Sequence, residues 1–394
     1  MELKDRARHA AKQAFGEDWQ ADGWAVAPGR IELIGNHIDY NGGPVLAGAI
    51  DRVLVIGTGP LESLREIAMV AADVSDTPVA FEPLKLGDWH ASDRDHGPVV
   101  YIKGVVAALS ARGIPFRTGV SLAIAGDIPR GFGVSSSAAL CVATILALTI
   151  DTIAPLEMVA IAREAEHRAG SPVGAMDQSA SVAGDVILFH GQGNAFERMT
   201  PDLGEHVFAL ASSGVDRSLR VSRYGERVRE SAAALHIINE TFGFNLPNLA
   251  AFSPFWEEHE VILPSRLDAT LFRRLRHVVT ETRRVQDAVV ALTTGDLDRF
   301  GLLMNASGIS SARDYDISHP EVETLVQLLR NTDVVLGARM MGGGEGGPAL
   351  ALIRTDAVDK VAEKLARDFY ATRSISGPSF QVCTFGPGAH REDA

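Results

Sequence analysis

Between two apolar segments, residues 28–50 place Arg30, Asn36, His37, Asp39 and Tyr40, followed by Asn41-Gly42-Gly43. An ordinary turn carries one or two groups able to bind or ionise, and this stretch carries four or five. A second cluster is Pro129-Arg-Gly-Phe-Gly-Val-Ser-Ser-Ser-Ala138, where Gly131 and Gly133 precede Ser135, Ser136 and Ser137 at the start of a long apolar helical segment. Glycines let backbone N–H groups come close to a ligand. Unpaired amides and the positive end of a helix dipole favour an anion there. Taken alone, the loop reads more readily as a glycine turn closed by a serine cap. In the third, Gly174-Ala-Met-Asp-Gln178, Asp177 stands in apolar surroundings, an odd place for a solvated charge; the plain alternative makes it the cap of a helix over 178–183. The fourth, Gly337-Ala-Arg-Met-Met-Gly-Gly-Gly-Glu-Gly-Gly347, is too glycine-dense for a simple flexible turn. No Gly-Lys-Ser/Thr follows a spaced glycine, so the Walker A phosphate loop is absent.

The elements that must position these groups follow from apolar periodicity. Strands are predicted over 24–27, 31–34, 45–49 and 53–57, with a turn at Pro28-Gly29 and a further strand at 79–81. A helix over 98–111 and a strand over 120–125 lead into the serine loop. A helix over 135–150 follows, opened by residues suited to N-cap positions. Helix 155–168 begins at a proline, and 185–190 is a strand. The pattern then restarts with strand 207–211 and helices 222–243 and 267–293; residues 333–339 run into the glycine-rich loop, 349–354 are apolar again, and helix 357–369 and a strand-like 380–383 follow. The fold class is α+β in two domains, 1–200 and 201–394, with residues 244–266 an ordered insertion rich in Pro, Phe and Trp.

Length agrees, since 394 residues exceed one typical core. A net charge of −13 argues against nucleic acid as a partner, although a local basic or amide-lined pocket can still take a small anion. Two cysteines, Cys141 and Cys383, rule out a disulfide framework and a cysteine zinc site and fit a reducing compartment. The first 16 residues form an amphipathic pattern without a signal-peptide core, and the longest apolar run, 140–150, is too short to span a bilayer. The expectation is a cytoplasmic protein with no membrane partner.

The segment Gly29-Arg30-Ile-Glu-Leu-Ile-Gly-Asn36-His37-Ile-Asp39-Tyr40 resembles the galactokinase signature Gly-Arg-x-Asn-Leu-Ile-Gly-Glu-His-x-Asp-Tyr, with Asn36 where that family has Glu. The serine loop resembles Pro-x-Gly-x-Gly-Leu-Ser-Ser-Ser-Ala of the GHMP kinases, with Val134 for Leu. Gly174 to Gln178 resembles Gly-Ile-Met-Asp-Gln, and the glycine-rich loop resembles Gly-(Ala/Ser)-Arg-(Met/Leu)-Thr-Gly-Gly-Gly-Phe-Gly-Gly-Cys. These four matches, in the family's order and spread over both halves, identify a galactokinase-type GHMP kinase.

The resemblance implies a ribosomal protein S5 domain 2-like N-terminal domain and a ferredoxin-like C-terminal domain, with ATP and a sugar meeting between them. Pro129, Gly131, Gly133, Ser135, Ser136, Ser137 and Ala138 would wrap the ATP phosphates, and Ser136 with Glu166 would hold Mg²⁺. Asp177 would be the base that takes the proton of the anomeric hydroxyl, and Arg30 would stabilise the transferring phosphoryl group. Asn36, His37, Asp39, Gly174 and Tyr224 would bind the sugar. Glu345 would add charge to a loop approaching phosphates, and Pro348 would remove a backbone donor.

D-Galactose is the implied substrate. An amide at 36 leaves room for an altered preference at C6, with galacturonate, L-arabinose and N-acetylgalactosamine as rival substrates. A non-catalytic sugar and ATP sensor is the alternative of another class; the presence of Ser137-Ala138, Arg30 and Asp177 weighs against it.

Overall fold

The computed structural model describes residues 2–129, 132–171, 173–215, 223–373, 375 and 379–394. The first half comprises α1 (Leu3–Phe15), β1 (Gly23–Ile34), β2 (Pro44–Pro60), β3 (Ile67–Ala71), β4 (Ser75–Phe81), α2 (Val99–Ala111), β5 (Val120–Gly126), α3 (Ser136–Leu148), α4 (Pro155–Arg168), α5 (Met176–Ala183), β6 (Val186–His190) and β7 (Ala195–Met199). The second comprises β8 (His206–Ser212), α6 (Tyr224–Phe242), the single turn α7 (Trp256–His259), α8 (Ala269–Thr293), α9 (Leu297–Arg313), α10 (Pro320–Arg330), β9 (Val335–Met340), β10 (Pro348–Arg354), α11 (Val358–Asp368), β11 (Phe380–Cys383) and β12 (His390–Asp393).

Among the described residues, one sheet runs in the order β12-β1-β2-β5-β3-β4, with β6 added to β2 and β7 to β6. Strand β2 has two successive neighbours on one side, β6 along Pro44–Gly48 and β5 along Leu54–Pro60. Alternation along β1 sends Trp24 and Val26 to a small cluster under α1 and Ala25 and Ala27 to the main core. The second sheet is antiparallel, β11-β8-β10-β9, with α9 and α10 packed against it. After β11 the chain returns to the first sheet, where Asp393 to His390 pair with Gly23 to Val26 of β1. A single hydrophobic cluster runs through both halves.

One local expectation fails. The Pro28-Gly29 pair is not a turn between two strands, because β1 continues through it. Pro28 lies opposite Val53 and Arg30 opposite Ala49, so the register shifts between them as it does at a bulge. A Cβ on Gly29 would stand 2.8 Å from the Val134 carbonyl. The bare backbone thus lets the serine loop press onto the strand, and Arg30 N–H donates to Val134 O at 3.1 Å. Helices α9 and α10 occupy a stretch for which the sequence predicted no element.

The segment that leaves β1 is clasped by the second half. The Arg339 guanidinium on β9 donates from Nη1 to the carbonyls of Glu32 (3.3 Å) and Leu33 (3.2 Å) and from Nη2 to Glu32 Oε1 (3.0 Å). From α8, Glu281 Oε1 accepts Gly35 N–H at 3.0 Å, and His277 Nε2 lies 2.9 Å from Asn36 O. Burial pushes the His277 pKa down to about 4, so the neutral ring donates from Nε2 to that carbonyl. Burial would raise Glu281, but Arg284, His277 and Arg339 bring it down to about 2.

Both shifts favour the fold at neutral pH. Stability held by neutral His277 is complete above its ordinary value near 6.5 and is lost as pH falls through about 4. The melting temperature of wild type measured relative to that of His277→Gln should therefore fall on acidification from pH 6.5 to 4. Glu281→Ala strips Arg284 of its buried partner, and denaturant titration at pH 7 should show a loss of about 3–5 kcal/mol.

Candidate active site

The two halves enclose a cavity of about 260 Å³. Its wall is built from Arg30 and Glu32 of β1, His37 and Asp39 of the following loop, and Pro129, Gly133, Ser135, Ser136 and Ser137 of the serine loop and α3. Glu166 of α4, Gly174, Asp177 of α5, Tyr224 of α6, and Gly342 and Gly343 of the glycine-rich loop complete it. Of the remaining expected residues, Gly131 lies outside the described residues, Ala138 is buried in the core, and Asn36 is not part of the wall.

Arg30 and Asp177 come together from positions 147 apart. Arg30 Nε and Nη2 each lie 2.8 Å from Asp177 Oδ1, and Nη1 donates to Gly133 O at 2.6 Å. Asp177 Oδ2 accepts the Ser135 hydroxyl. The plain alternative, an Asp capping a helix over 178–183, does not hold. Helix α5 begins at Met176, and Asp177 sits inside its first turn with its carboxylate given to Arg30 and Ser135. Ser135 likewise occupies the N-cap position of α3 without capping it through its side chain. It is left-handed (φ 57°), as is Gly133 (φ 58°), so the loop bends tightly at the helix start.

Glu166 is a buried carboxylate at the cavity wall, with Oε1 accepting Ser137 Oγ at 2.7 Å and Oε2 accepting Gln178 Nε2. Burial first, then the charge of Asp177, pushes its pKa up to about 7, against the pull of those two donors and Arg30. Ser136, between Ser135 and Ser137, is exposed at the cavity. Among the described residues no three His, Cys, Asp or Glu side chains form a ready metal cage.

At the other end, Asp39 is pressed against Gly174, where a Cβ would stand 1.9 Å from Asp39 Oδ2. Only glycine admits the carboxylate so close. Burial, with Asp177 and Glu32 adding repulsion, raises the Asp39 pKa to about 7. The Tyr224 ring lies 5.3 Å from the His37 ring and 5.2 Å from that of Tyr40. His37 Nδ1 is 3.0 Å from Tyr40 Oη, which in turn is 2.8 Å from Tyr315 Oη.

Asn36 departs from its expected position at the sugar. It is fully buried, and its amide nitrogen donates to Glu32 Oε1 (2.9 Å) and to Gly342 O (2.7 Å). The side chain that reaches the cavity is Glu32, which the sequence reading passed over. A signal existed: Arg30 and Glu32 are two apart on one strand and share a face, while Ile31 and Leu33 enter the core. Glu345, expected to bring charge towards the phosphates, is turned to Arg223, accepting from its N–H (2.8 Å) and pairing with its Nε (3.0 Å). Pro348 opens β10, where its carbonyl accepts Met341 N–H at 3.1 Å.

The galactokinase galactose-binding signature matches residues 12–60, the N-terminal domain of the GHMP kinases residues 100–185 and their C-terminal domain residues 288–371. Galactokinase of Staphylococcus carnosus is 32% identical, with 92% of this chain and 93% of that protein aligned. Galactokinase of Actinobacillus succinogenes is 33% identical over 97% and 98%. The crystal structure of Lactococcus lactis galactokinase complexed with galactose superposes with a TM-score of 0.87 at 27% identity, covering 99% of this chain and all of that one. A mevalonate kinase shares the fold, with a TM-score of 0.65 at 16% identity. With relatives above 30% identity along nearly its whole length, the chain belongs to the galactokinase family of the GHMP kinases.

Proposed function

We propose that this protein transfers the γ-phosphoryl group of ATP to the anomeric hydroxyl of D-galactose. The observation that carries this reading is the Arg30–Asp177 pair, two 2.8 Å contacts in the cavity wall between the serine loop and the Asp39 end. Asp177 takes the proton of the sugar hydroxyl, whose oxygen attacks the γ-phosphorus while the bond to the bridging oxygen breaks and ADP leaves. Little covalent help is needed in such a transfer, so positioning and charge stabilisation dominate. Arg30 supports both roles, holding Asp177 and offering positive charge beside the transferring group. Ser135 fixes the second carboxylate oxygen. Amides at the start of α3 suit the phosphates. His37, Asp39 and Tyr224 contact the sugar, and Gly174 makes room for Asp39.

Magnesium fits the donor set. Glu166 and the Ser136 hydroxyl are hard oxygen donors in the cavity wall, and Mg²⁺ commonly uses one or two protein oxygens with phosphate oxygens and water. Bound there, the ion would neutralise phosphate charge, and Ser137 and Gln178 would orient the carboxylate that holds it.

Asp177→Ala should lower turnover by about 10²–10⁴-fold in an ADP-release assay with galactose; retention of more than a tenth of the turnover would remove Asp177 as the base. A panel of galactose, galacturonate, L-arabinose and N-acetylgalactosamine should be led by galactose. Glu166 and Asp39 both have raised values, so the stability they hold is complete below their ordinary range near 4 and is lost as pH rises through about 7. The ligand-free protein should therefore lose melting temperature from pH 5 to 8. Glu166→Gln should reduce that loss, and MgATP should reverse it.

A further inference from the structure

We propose that Glu32, rather than Asn36, is the acceptor that selects the sugar, and that Arg339 and Asn36 aim its free oxygen into the cavity. The inference rests on the sugar-kinase reading above and names the substrate feature it selects, a hydroxyl donor on an uncharged sugar.

The sequence already contains half of the argument. The galactokinase signature reads Gly-Arg-x-Asn-Leu-Ile-Gly-Glu-His, and this chain reads Gly29-Arg-Ile-Glu32-Leu-Ile-Gly-Asn36-His37. The amide and the carboxylate have exchanged places. Loss of a carboxylate at 36 is matched by gain of one at 32, and the two side chains are hydrogen-bonded to each other at 2.9 Å.

Geometry supplies the rest. Every protein donor to the Glu32 carboxylate converges on Oε1: Asn36 Nδ2 at 2.9 Å and Arg339 Nη2 at 3.0 Å. Among the described residues Oε2 receives no donor, and it is not enclosed as a buried orphan. Glu32 lines the cavity with Asp39, whose carboxyl feels its charge. Asn36 spends both amide protons on Glu32 and Gly342 and has no access to the cavity. An anchored carboxylate with one oxygen free accepts a hydroxyl proton well. It repels a carboxylate or phosphate on the same ligand, so galacturonate and sugar phosphates are disfavoured, opposite to the tolerance that an amide at 36 would suggest.

The test compares wild type, Glu32→Gln, and the reciprocal exchange Glu32→Asn/Asn36→Glu. Each is assayed with MgATP on galactose, its 2-, 3-, 4- and 6-deoxy forms and galacturonate, and galactose binding is measured separately by calorimetry. Glu32→Gln should raise the galactose KM at least tenfold with the ATP KM within twofold. For the one deoxy sugar that lacks the bonded hydroxyl the effect should vanish, the signature of a pairwise contact. Wild type should prefer galactose to galacturonate by at least a hundredfold, and Glu32→Gln should narrow that ratio about tenfold. If Glu32→Gln fails to fold because Arg339 loses its partner, the exchange carries the test. It restores one carboxylate and one amide to the pair, and its galactose KM should lie within about tenfold of wild type. An unchanged sugar KM, an equal factor on all deoxy sugars, or an exchange that folds but does not bind galactose would overturn the proposal. Wild type that binds galactose without releasing ADP sinks the kinase reading alone, since calorimetry still reads Glu32. Wild type that neither binds nor phosphorylates any sugar of the panel sinks both.

Discussion

The cleft depends on how the polypeptide leaving β1 is held across the domain seam. Between Glu32 and Asn36 the ladder with β2 shifts register and then ends after Ile34, and the backbone polar groups left over must find partners where water is excluded. Arg339 takes two of the carbonyls, His277 a third, and Glu281 accepts the Gly35 N–H. All three side chains are fully buried and come from the second domain. A buried guanidinium or carboxylate is costly unless paired, and here Arg339 is balanced by Glu32 and Glu281 by Arg284 and Ser307. The same bonds that satisfy the backbone therefore set the position of one domain against the other.

From that clasp the site follows in both directions. Upstream, β1 carries Arg30 and Glu32 on one face, and the bulge at Gly29 lets the serine loop lie against the strand. Arg30 then reaches both Asp177 and the Gly133 carbonyl, tying strand, serine loop and α5 together. Downstream, His37 and Asp39 face Tyr224 and Gly174, so the cavity is closed by residues of both domains. Glu345 belongs to the same logic: it pairs with Arg223, next to Tyr224, and links the glycine-rich loop to the start of α6.

Legibility in the sequence tracked locality. Helices with continuous apolar periodicity, such as 155–168, match the structure to the residue. Helix α9 was missed because Gly301 and Gly308 interrupt its apolar face; at Gly301 a Cβ would stand 2.4 Å from the Leu336 carbonyl, so the glycine exists for contact with β9. The predicted turn at Pro28-Gly29 failed for a related reason. A Pro-Gly pair is a turn signal on its own, and only the approach of a loop a hundred residues away converts it into a bulge.

The kind of chemistry is legible in local sequence. Two glycines before three serines, an Asp in an apolar stretch, and an Arg beside the signature's His and Asp are local patterns that few other constraints would produce together. Which groups face the cavity at its Asp39 end is settled by contacts between distant parts of the chain. Whether the amide at 36 or the carboxylate at 32 turns to the cavity depends on donors and acceptors supplied by Arg339 and Gly342, and the latter lies 306 residues further along the chain. Asn36 is drawn into the seam because the Gly342 carbonyl and the Glu32 carboxylate there need its protons. Glu32 keeps one oxygen for the cavity because its partners converge on the other.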